Sequence, residues 1–193
     1  MGVFGKHGVS TDTPDNILLG AGTYHKGLKW NAEKSSWDGT IIGATSGGGK
    51  VAIEGEYVDV DLDGALVLVK GLTVKQGGKA SIEVNMAELS SDNIKMTTNF
   101  KLGESDADGY DMLVDKPNIE EGDYIENFGF VGKTANGKKD IIIIFEYALC
   151  KSAFELEGKK KEQSTLKAVL EAYAENAGDL DTLPVKIYYP SAV

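Results

Sequence analysis

The sequence contains one segment with the residue types of a phosphate-binding loop. Residues 44–50 read ATSGGGK, in which glycine N–H groups would surround a phosphate and the lysine would neutralise it. Such a loop also needs a Ser or Thr after the lysine to bind magnesium, and a helix whose N-terminus faces the phosphate. Here Val51 follows the lysine and a strand-like alternation begins at once. We therefore interpret the segment as a glycine-rich entry into a strand and expect no nucleotide cofactor.

Two acidic clusters have part of the pattern of a calcium-binding loop. The first matches the first half of an EF-hand, but its last position is Lys70, where a bidentate glutamate is needed. We interpret it as the solvated face of a strand that ends in an Asp-Gly turn. The second is interpreted as an acidic loop, with weak calcium binding kept as an alternative. The clusters are Asp59, Asp61, Asp63 and Gly64, and Glu104, Asp106, Asp108, Gly109 and Asp115.

Residues for nucleophilic or acid–base catalysis are scarce. The only histidines are His7 and His25, both near the N-terminus, so no convincing Ser-His-Asp or Cys-His set can be assembled. The single cysteine, Cys150, ends an apolar run and is interpreted as a small core residue. We therefore predict that the protein is not an enzyme and has no catalytic, cofactor-binding or metal-binding residues.

Net charge and hydropathy limit the partners of the chain. Its 193 residues carry a formal net charge of −10, which disfavours tight sequence-reading contact with nucleic acid but not a surface that DNA slides past. The longest apolar run, residues 141–145, is far too short to span a bilayer, so no membrane partner is expected.

Hydrophobic alternation predicts the elements that would position these residues. Residues 43–89 have the pattern of a three-stranded meander with turns at Asp63-Gly64 and Gly77-Gly78. The alternation changes phase at Tyr57, which predicts a bulge or a crossing between sheets. The strands have one polar and one apolar face, which is typical of an antiparallel sheet.

The chain is predicted to form one domain, residues 16–193, after an extended N-terminal arm, residues 1–15. Inside the domain, residues 26–49 are predicted to be a long loop that carries Trp30 and Trp37. Tryptophan is favoured at protein–protein contacts, so the two rings either anchor such a contact or cover the core.

The second half of the chain adds one helix and further strands. Residues 90–100 predict a short helix capped by Ser90 or Ser91. Asn136-Gly137 predicts a hairpin leading into residues 141–145, which are apolar on both faces and must be covered by a neighbouring strand or subunit. Residues 164–176 fit either a helix or a strand, and local propensity favours helix. A final strand is predicted at residues 185–189.

An ordered set of segments gives the chain a resemblance to a known family. The segments are residues 17–23 (ILLGAGT), residues 42–49 (IGATSGGG), Asp63-Gly64 with Lys70-Gly71, residues 80–89, and residues 183–190 (LPVKIYYP). With these segments, the chain resembles the tail tube proteins, or major tail proteins, of long-tailed bacteriophages that infect Gram-positive bacteria.

The resemblance implies a mainly β (α+β) fold, an antiparallel β-sandwich or barrel-like domain with one short flanking helix, and favours strand for residues 164–176. It implies a virion tail protein, made in the host cytoplasm, that self-assembles into stacked hexameric rings. The rings form a tube through which DNA passes without specific binding. The implied partners are further copies of the chain and the tape-measure, tail terminator, and baseplate or distal tail proteins.

This resemblance assigns roles to surface residues and leaves alternatives. The long loop, the arm and the C-terminal segment would form the contacts between subunits. The expected oligomer contacts are Trp30, Trp37, Ile41 and Ile42, and the expected acidic lumen residues are Asp59, Asp61 and Glu83. One alternative is a small monomeric β-sandwich binding module with weak calcium sites. The other is the inner tube of a contractile tail or a related injection device.

Overall fold

A computed structural model describes residues 8–137, 139–158, 161 and 163–190. This part of the chain is mainly antiparallel β structure with short helices, which confirms the predicted mainly-β class with a short helix beside the sheet. Its strands are β1 Thr23–Asn31, β2 Ser36–Ile41, β3 Thr45–Asp59, β4 Thr73–Met86, β5 Lys101–Gly103, β6 Met112–Val114, β7 Ile125–Lys133, β8 Asp140–Cys150, β9 Leu166–Tyr173 and β10 Val185–Tyr188. Its helices are α1 Thr13–Asn16, α2 Ser91–Thr98 and the 3-10 helix Glu121–Asp123.

One large sheet organises the molecule, with the strand order β2-β1-β7-β8-β9-β4-β3. Strand β10 pairs with the first half of β8, and β9 pairs with its second half. The sheet curls until β3 approaches β1 near Gly49, because a Cβ placed at Gly49 would overlap the hydroxyl of Tyr24 on β1. The small β5–β6 ribbon lies outside this sheet.

The main core fills the inside of the curled sheet. Phe128 of β7 and Phe145 of β8 are direct cross-strand partners, and both are fully buried. Alternate residues of β4 and β9 complete the core, because successive residues of a strand point to opposite faces. The core residues of these two strands are Ala80, Ile82, Val84, Met86, Leu166, Ala168 and Leu170.

A second, smaller cluster covers the other face of β8. Leu28, Ile142 and Ile144 are buried there, with Trp37 and Val131 packed against them. Strand β1 reaches both clusters because its register shifts between Lys26 and Lys29. Residues 141–145 are therefore covered within the subunit, by strands on both edges and side chains on both faces.

The prediction of a long loop at residues 26–49 is wrong. Strands β1 and β2 form a hairpin there, with Trp30 directly opposite Trp37. The Asn31 side chain holds the turn, since its carbonyl oxygen accepts from the N–H groups of Glu33 (3.0 Å) and Lys34 (3.1 Å). Burial of Leu28 against β8 overrides the low strand propensity of the neighbouring lysines and glycines.

The predicted three-stranded meander at residues 43–89 is also wrong, because the segment forms two long strands, β3 and β4. Asp63-Gly64 is a turn inside the connection between them, but Gly77-Gly78 lies within β4. Gly78 is needed for close approach, since a Cβ there would come within 2.6 Å of a backbone oxygen of β3. The predicted bulge at Tyr57 is confirmed, because the β3–β4 register shifts between Glu56 and Tyr57.

Within residues 164–176, Leu166–Tyr173 form strand β9, as the resemblance implied and against local helix propensity. Their alternate apolar residues are fully buried between β4 and β8, so tertiary packing decides the conformation. The first strand begins at Thr23, and before it Leu18 makes an isolated bridge to Thr134. Of the predicted arm, residues 1–7 lie outside the described residues, and Thr13–Asn16 is a short helix.

Helix α2 confirms the short helix predicted at residues 90–100. The Ser90 side chain caps it by accepting from the N–H of Asn93, and Asn99 ends it in the left-handed conformation. Asn93 is buried, and its amide donates to the carbonyl oxygens of Ile42 (2.9 Å) and Glu88 (3.0 Å). This residue ties the helix to the chain entering β3.

We expect Asn93→Ala to lower the free energy of unfolding by about 1–3 kcal/mol, because it leaves two backbone carbonyls without their buried donor. Urea denaturation measures the effect. Gln76→Ala is the matched control, since Gln76 is exposed in β4. Equal stability of the two variants would show that Asn93 does not fix the helix.

Candidate assembly surface

The most exposed apolar surface lies on a projecting hairpin, which we call the distal hairpin and define as residues 53–71. Every residue in it is exposed. Strand β4 pairs with β9 only from Ser81 onward, so residues 73–80 of β4 pair with β3 alone. The distal hairpin therefore extends beyond the body of the sheet.

The end of the distal hairpin is an apolar run, Leu66-Val67-Leu68-Val69, which we call the apolar tip. The exposed fractions of the first three side chains are 98%, 77% and 76%. Full burial of one such side chain would contribute about 1.5–3 kcal/mol. A contiguous exposed apolar run of this kind marks a surface that another molecule covers.

Hydrogen bonds join the two chain segments at the base of the apolar tip. The N–H of Val60 donates to the carbonyl of Leu72 (3.0 Å), and the N–H of Leu72 donates to Val69 (3.2 Å). At the last residue of β3, Asp59 accepts from the Thr73 hydroxyl at 2.6 Å. The apolar tip is thus presented on a paired ribbon.

The predicted lumen residues lie in two different parts of the structure. Asp59 and Asp61 are both exposed on the distal hairpin, whereas Glu83 lies on the body in β4. The Glu83 carboxylate is 2.9 Å from the ammonium of Lys167 on β9, so its charge is compensated. Which of these residues would face a lumen stays a prediction.

Cross-strand ion pairs surround Glu83 on the outer face of the sheet. Lys79 pairs with Glu54 across β4 and β3 (3.7 Å), and Lys151 pairs with Glu171. The hydrogen bond to the Glu171 carboxylate raises the pKa of Lys151. These pairs are largely exposed, so each contributes at most about 1 kcal/mol, and their main effect is a face of mixed charge.

The predicted oligomer contacts divide into surface and interior residues. Ile42 is a wrong prediction, because it is only 7% exposed and belongs to the main core. Trp37 packs on the second cluster and lies edge-on to Tyr188, with ring centroids 4.7 Å apart. Trp30 and Ile41 are each 52% exposed and remain available to a partner.

The outermost strand β3 adds a second kind of contact surface. It is 15 residues long and, among the described residues, pairs only with β4. An unpaired strand edge of this length offers backbone N–H and C=O groups to a strand of another molecule. Strand β2, at the other end of the sheet, pairs only with β1 in the same part of the chain.

The glycines of residues 44–50 shape a strand. Gly47 and Gly48 have φ values of +77° and +76°, and the β3–β4 register shifts between Thr45 and Gly49. The Asn85 amide donates to the Gly48 carbonyl at 3.1 Å. The segment belongs to β3 from Thr45 onward, so the glycines lie within the strand that they were predicted to precede.

We expect Gly49→Ala to lower the free energy of unfolding by about 1–3 kcal/mol, because the methyl group would overlap the Tyr24 hydroxyl and approach a backbone oxygen at Glu83. Thermal unfolding followed by circular dichroism checks this. Gly158→Ala is the control, since nothing lies within 4 Å of a Cβ there. An unchanged melting temperature for Gly49→Ala would contradict the packing of β3 against β1.

Neither a metal centre nor a membrane-spanning helix is present in the described residues. Within the described residues, no group of three or more His, Cys, Asp or Glu side chains could hold a metal ion. No helix in the same residues is long and apolar enough to cross a membrane. A scan of the chain against models of known protein families found no match, and a search of curated proteins found none either.

The apolar tip was not predicted from the sequence as an exposed surface. The run Leu66–Val69 lies between Asp63-Gly64 and Lys70-Gly71, so two turn dipeptides enclose four apolar residues. Two closely spaced turns leave too few residues for a paired strand of typical length. That spacing could have indicated an exposed loop.

Proposed function

We propose that this chain is a structural virion protein that self-assembles into hexameric rings, and that the rings stack into a phage tail tube through which DNA is ejected. The apolar tip is the observation that carries the proposal. It exposes four consecutive apolar residues on a ribbon that projects from a folded body. The resemblance of the sequence to tail tube proteins provides the class of assembly.

In the proposed tube, the distal hairpin of one subunit contacts the body of a subunit in the next ring. Such a contact joins two different surfaces of the same chain, so it repeats without limit and produces a filament. Burial of Leu66, Val67 and Leu68 would offset part of the free-energy cost of association.

Within a ring, the edges of β3 and β2 join neighbouring subunits. Residues 45–52 of β3, the part outside the distal hairpin, can continue the sheet of one subunit into the next. Trp30 and Ile41 lie on the hairpin that contains β2, and they supply apolar area beside that edge. Tryptophan at such a position is a favourable anchor.

The net charge of −10 supports the proposed role as a DNA conduit. Negative charge repels phosphate, so DNA can slide past the surface without binding to it. We place Asp59 and Asp61 of the distal hairpin at that surface. Tape-measure, tail terminator and baseplate or distal tail proteins are the proposed partners at the tube's interior and ends.

Light scattering over a range of protein concentrations tests self-assembly. The proposal predicts that the average mass rises steeply above a threshold concentration, because each added subunit is held by several contacts. A constant monomer mass at every concentration, with no effect of added tail components, would contradict it.

A further inference from the structure

A surface cleft on the body, away from the distal hairpin, has the composition of a site for organic cations. The cleft has a volume of about 400 Å³, which is in the range of small-molecule sites. Strands β7, β8 and β9 form its floor, and the 3-10 helix Glu121–Asp123 and the chain after β9 form its rim.

The cleft is walled by three tyrosine rings. Tyr147 of β8 is the direct cross-strand partner of Tyr173 on β9, so the two side chains stand on the same face of the sheet. Tyr124, just before β7, lies edge-on to Tyr173 with ring centroids 5.3 Å apart. Faces of aromatic rings attract cations.

Four glutamates line the cleft; the carboxylate of Glu120 pairs with the ammonium of Lys116 at 3.1 Å, and the other three border the same rings. Glu126 is the cross-strand partner of Tyr147, Glu121 lies on the rim, and Glu175 follows β9. In the part of the chain that the structure describes, none of the three is within 4.0 Å of a cationic side chain. The Glu175 carboxylate is the main cause that raises the pKa of the Tyr147 hydroxyl, so the cleft has a negative potential.

The ammonium group of a lysine side chain already lies beside one of these rings. The ammonium of Lys151 is 5.5 Å from the centroid of the Tyr173 ring and pairs with Glu171. Neither Lys151 nor Glu171 lines the cleft, so this ion pair contacts the Tyr173 ring without being part of the cleft wall.

We propose that this cleft binds an alkylammonium group, held by the faces of Tyr124, Tyr147 and Tyr173 and by the charges of Glu121, Glu126 and Glu175. The group is presented either by a lysine side chain or by a free polyamine. The inference goes beyond the proposed tube function and does not depend on it, since the cleft lies within one subunit.

Titration of the full-length protein with n-butylammonium chloride at constant ionic strength, followed by the proton NMR signals of the tyrosine rings, tests the site. The proposal predicts saturable shifts for n-butylammonium and none for n-butanol, its neutral counterpart. Equal binding of the two compounds, or no saturable shift, would overturn it.

Variants that remove carboxylate charges show where n-butylammonium binds. The double variant Glu126→Gln/Glu175→Gln should bind n-butylammonium about tenfold more weakly, because two of the three charges are removed. The control Glu33→Gln/Glu104→Gln removes two exposed carboxylates elsewhere and should leave the affinity unchanged. Similar losses in both variants would show a general charge effect and overturn the site.

Two further titrations distinguish the source of the group. Spermidine represents a free polyamine, and a blocked Gly-Lys-Gly peptide represents a lysine side chain. The compound that binds with the higher affinity identifies the source of the alkylammonium group. Equal affinities support the shared alkylammonium chemistry. Failure of both, with n-butylammonium also unbound, would overturn the inference while leaving tube assembly untouched.

Discussion

The double variant Leu66→Glu/Leu68→Glu should lose self-assembly and keep its fold. Both side chains are at the apolar tip, with exposed fractions of 98% and 76%, so they contribute little to the stability of the subunit. In a stacking contact, each replacement removes about 1.5–3 kcal/mol of apolar burial. It also brings a carboxylate into an apolar interface, which is costly unless the charge is paired.

Sedimentation of the wild type and the variant at the same concentration measures this effect. The variant should stay in the supernatant and unfold at the wild-type temperature. The control Leu102→Glu/Leu156→Glu changes two exposed leucines, 56% and 51% exposed, outside the distal hairpin. If the tip variant assembled as well as the control, the distal hairpin would not be the stacking contact.

The second large effect is expected in the core. Phe145→Ala should lower the free energy of unfolding by about 3–5 kcal/mol, because it removes a fully buried ring opposite Phe128 and leaves a cavity. A domain has only about 5–15 kcal/mol of stability, so much of it would be lost.

Urea denaturation of Phe145→Ala and Phe154→Ala compares the same substitution at buried and exposed positions. Phe154 is 42% exposed, and its replacement should cost clearly less. Similar costs at the two positions would contradict the placement of the main core between β7, β8, β4 and β9.

Local patterns predicted much of this fold. The mainly-β class, the cap of α2 by Ser90 and the bulge at Tyr57 were all readable from residue types and alternation. Asn136-Gly137 also lies where predicted, between β7 and β8, with Gly137 at a φ of +68°. These features depend on residues close together in the chain, so sequence alone contains the information.

Contacts between distant residues were not predictable in the same way. Residues 26–49 resembled a loop because strand propensity is low there, and only contact with β8 makes β1 and β2 a hairpin. Ile42 was predicted to be a surface contact, and it is in the core because the curled sheet brings β1 and β3 together.

The candidate surface was predictable only in part. Trp30 and Ile41 are exposed as expected, but the pairing of Glu83 with Lys167 depends on the β4–β9 register, which no local pattern encodes. In the sequence, the apolar tip belongs to a run of apolar residues that resembles an ordinary strand. Its exposure follows from the length of β3 and β4 relative to β9, which is a property of the whole sheet.

Electron cryomicroscopy of the concentrated purified protein shows whether the subunits stack through the distal hairpin. We expect hollow tubes of stacked hexameric rings, with the distal hairpin of each subunit in contact with the next ring. Particles that remain single subunits at all concentrations, or assemblies in which the apolar tip is left exposed to solvent, would contradict the proposed stacking.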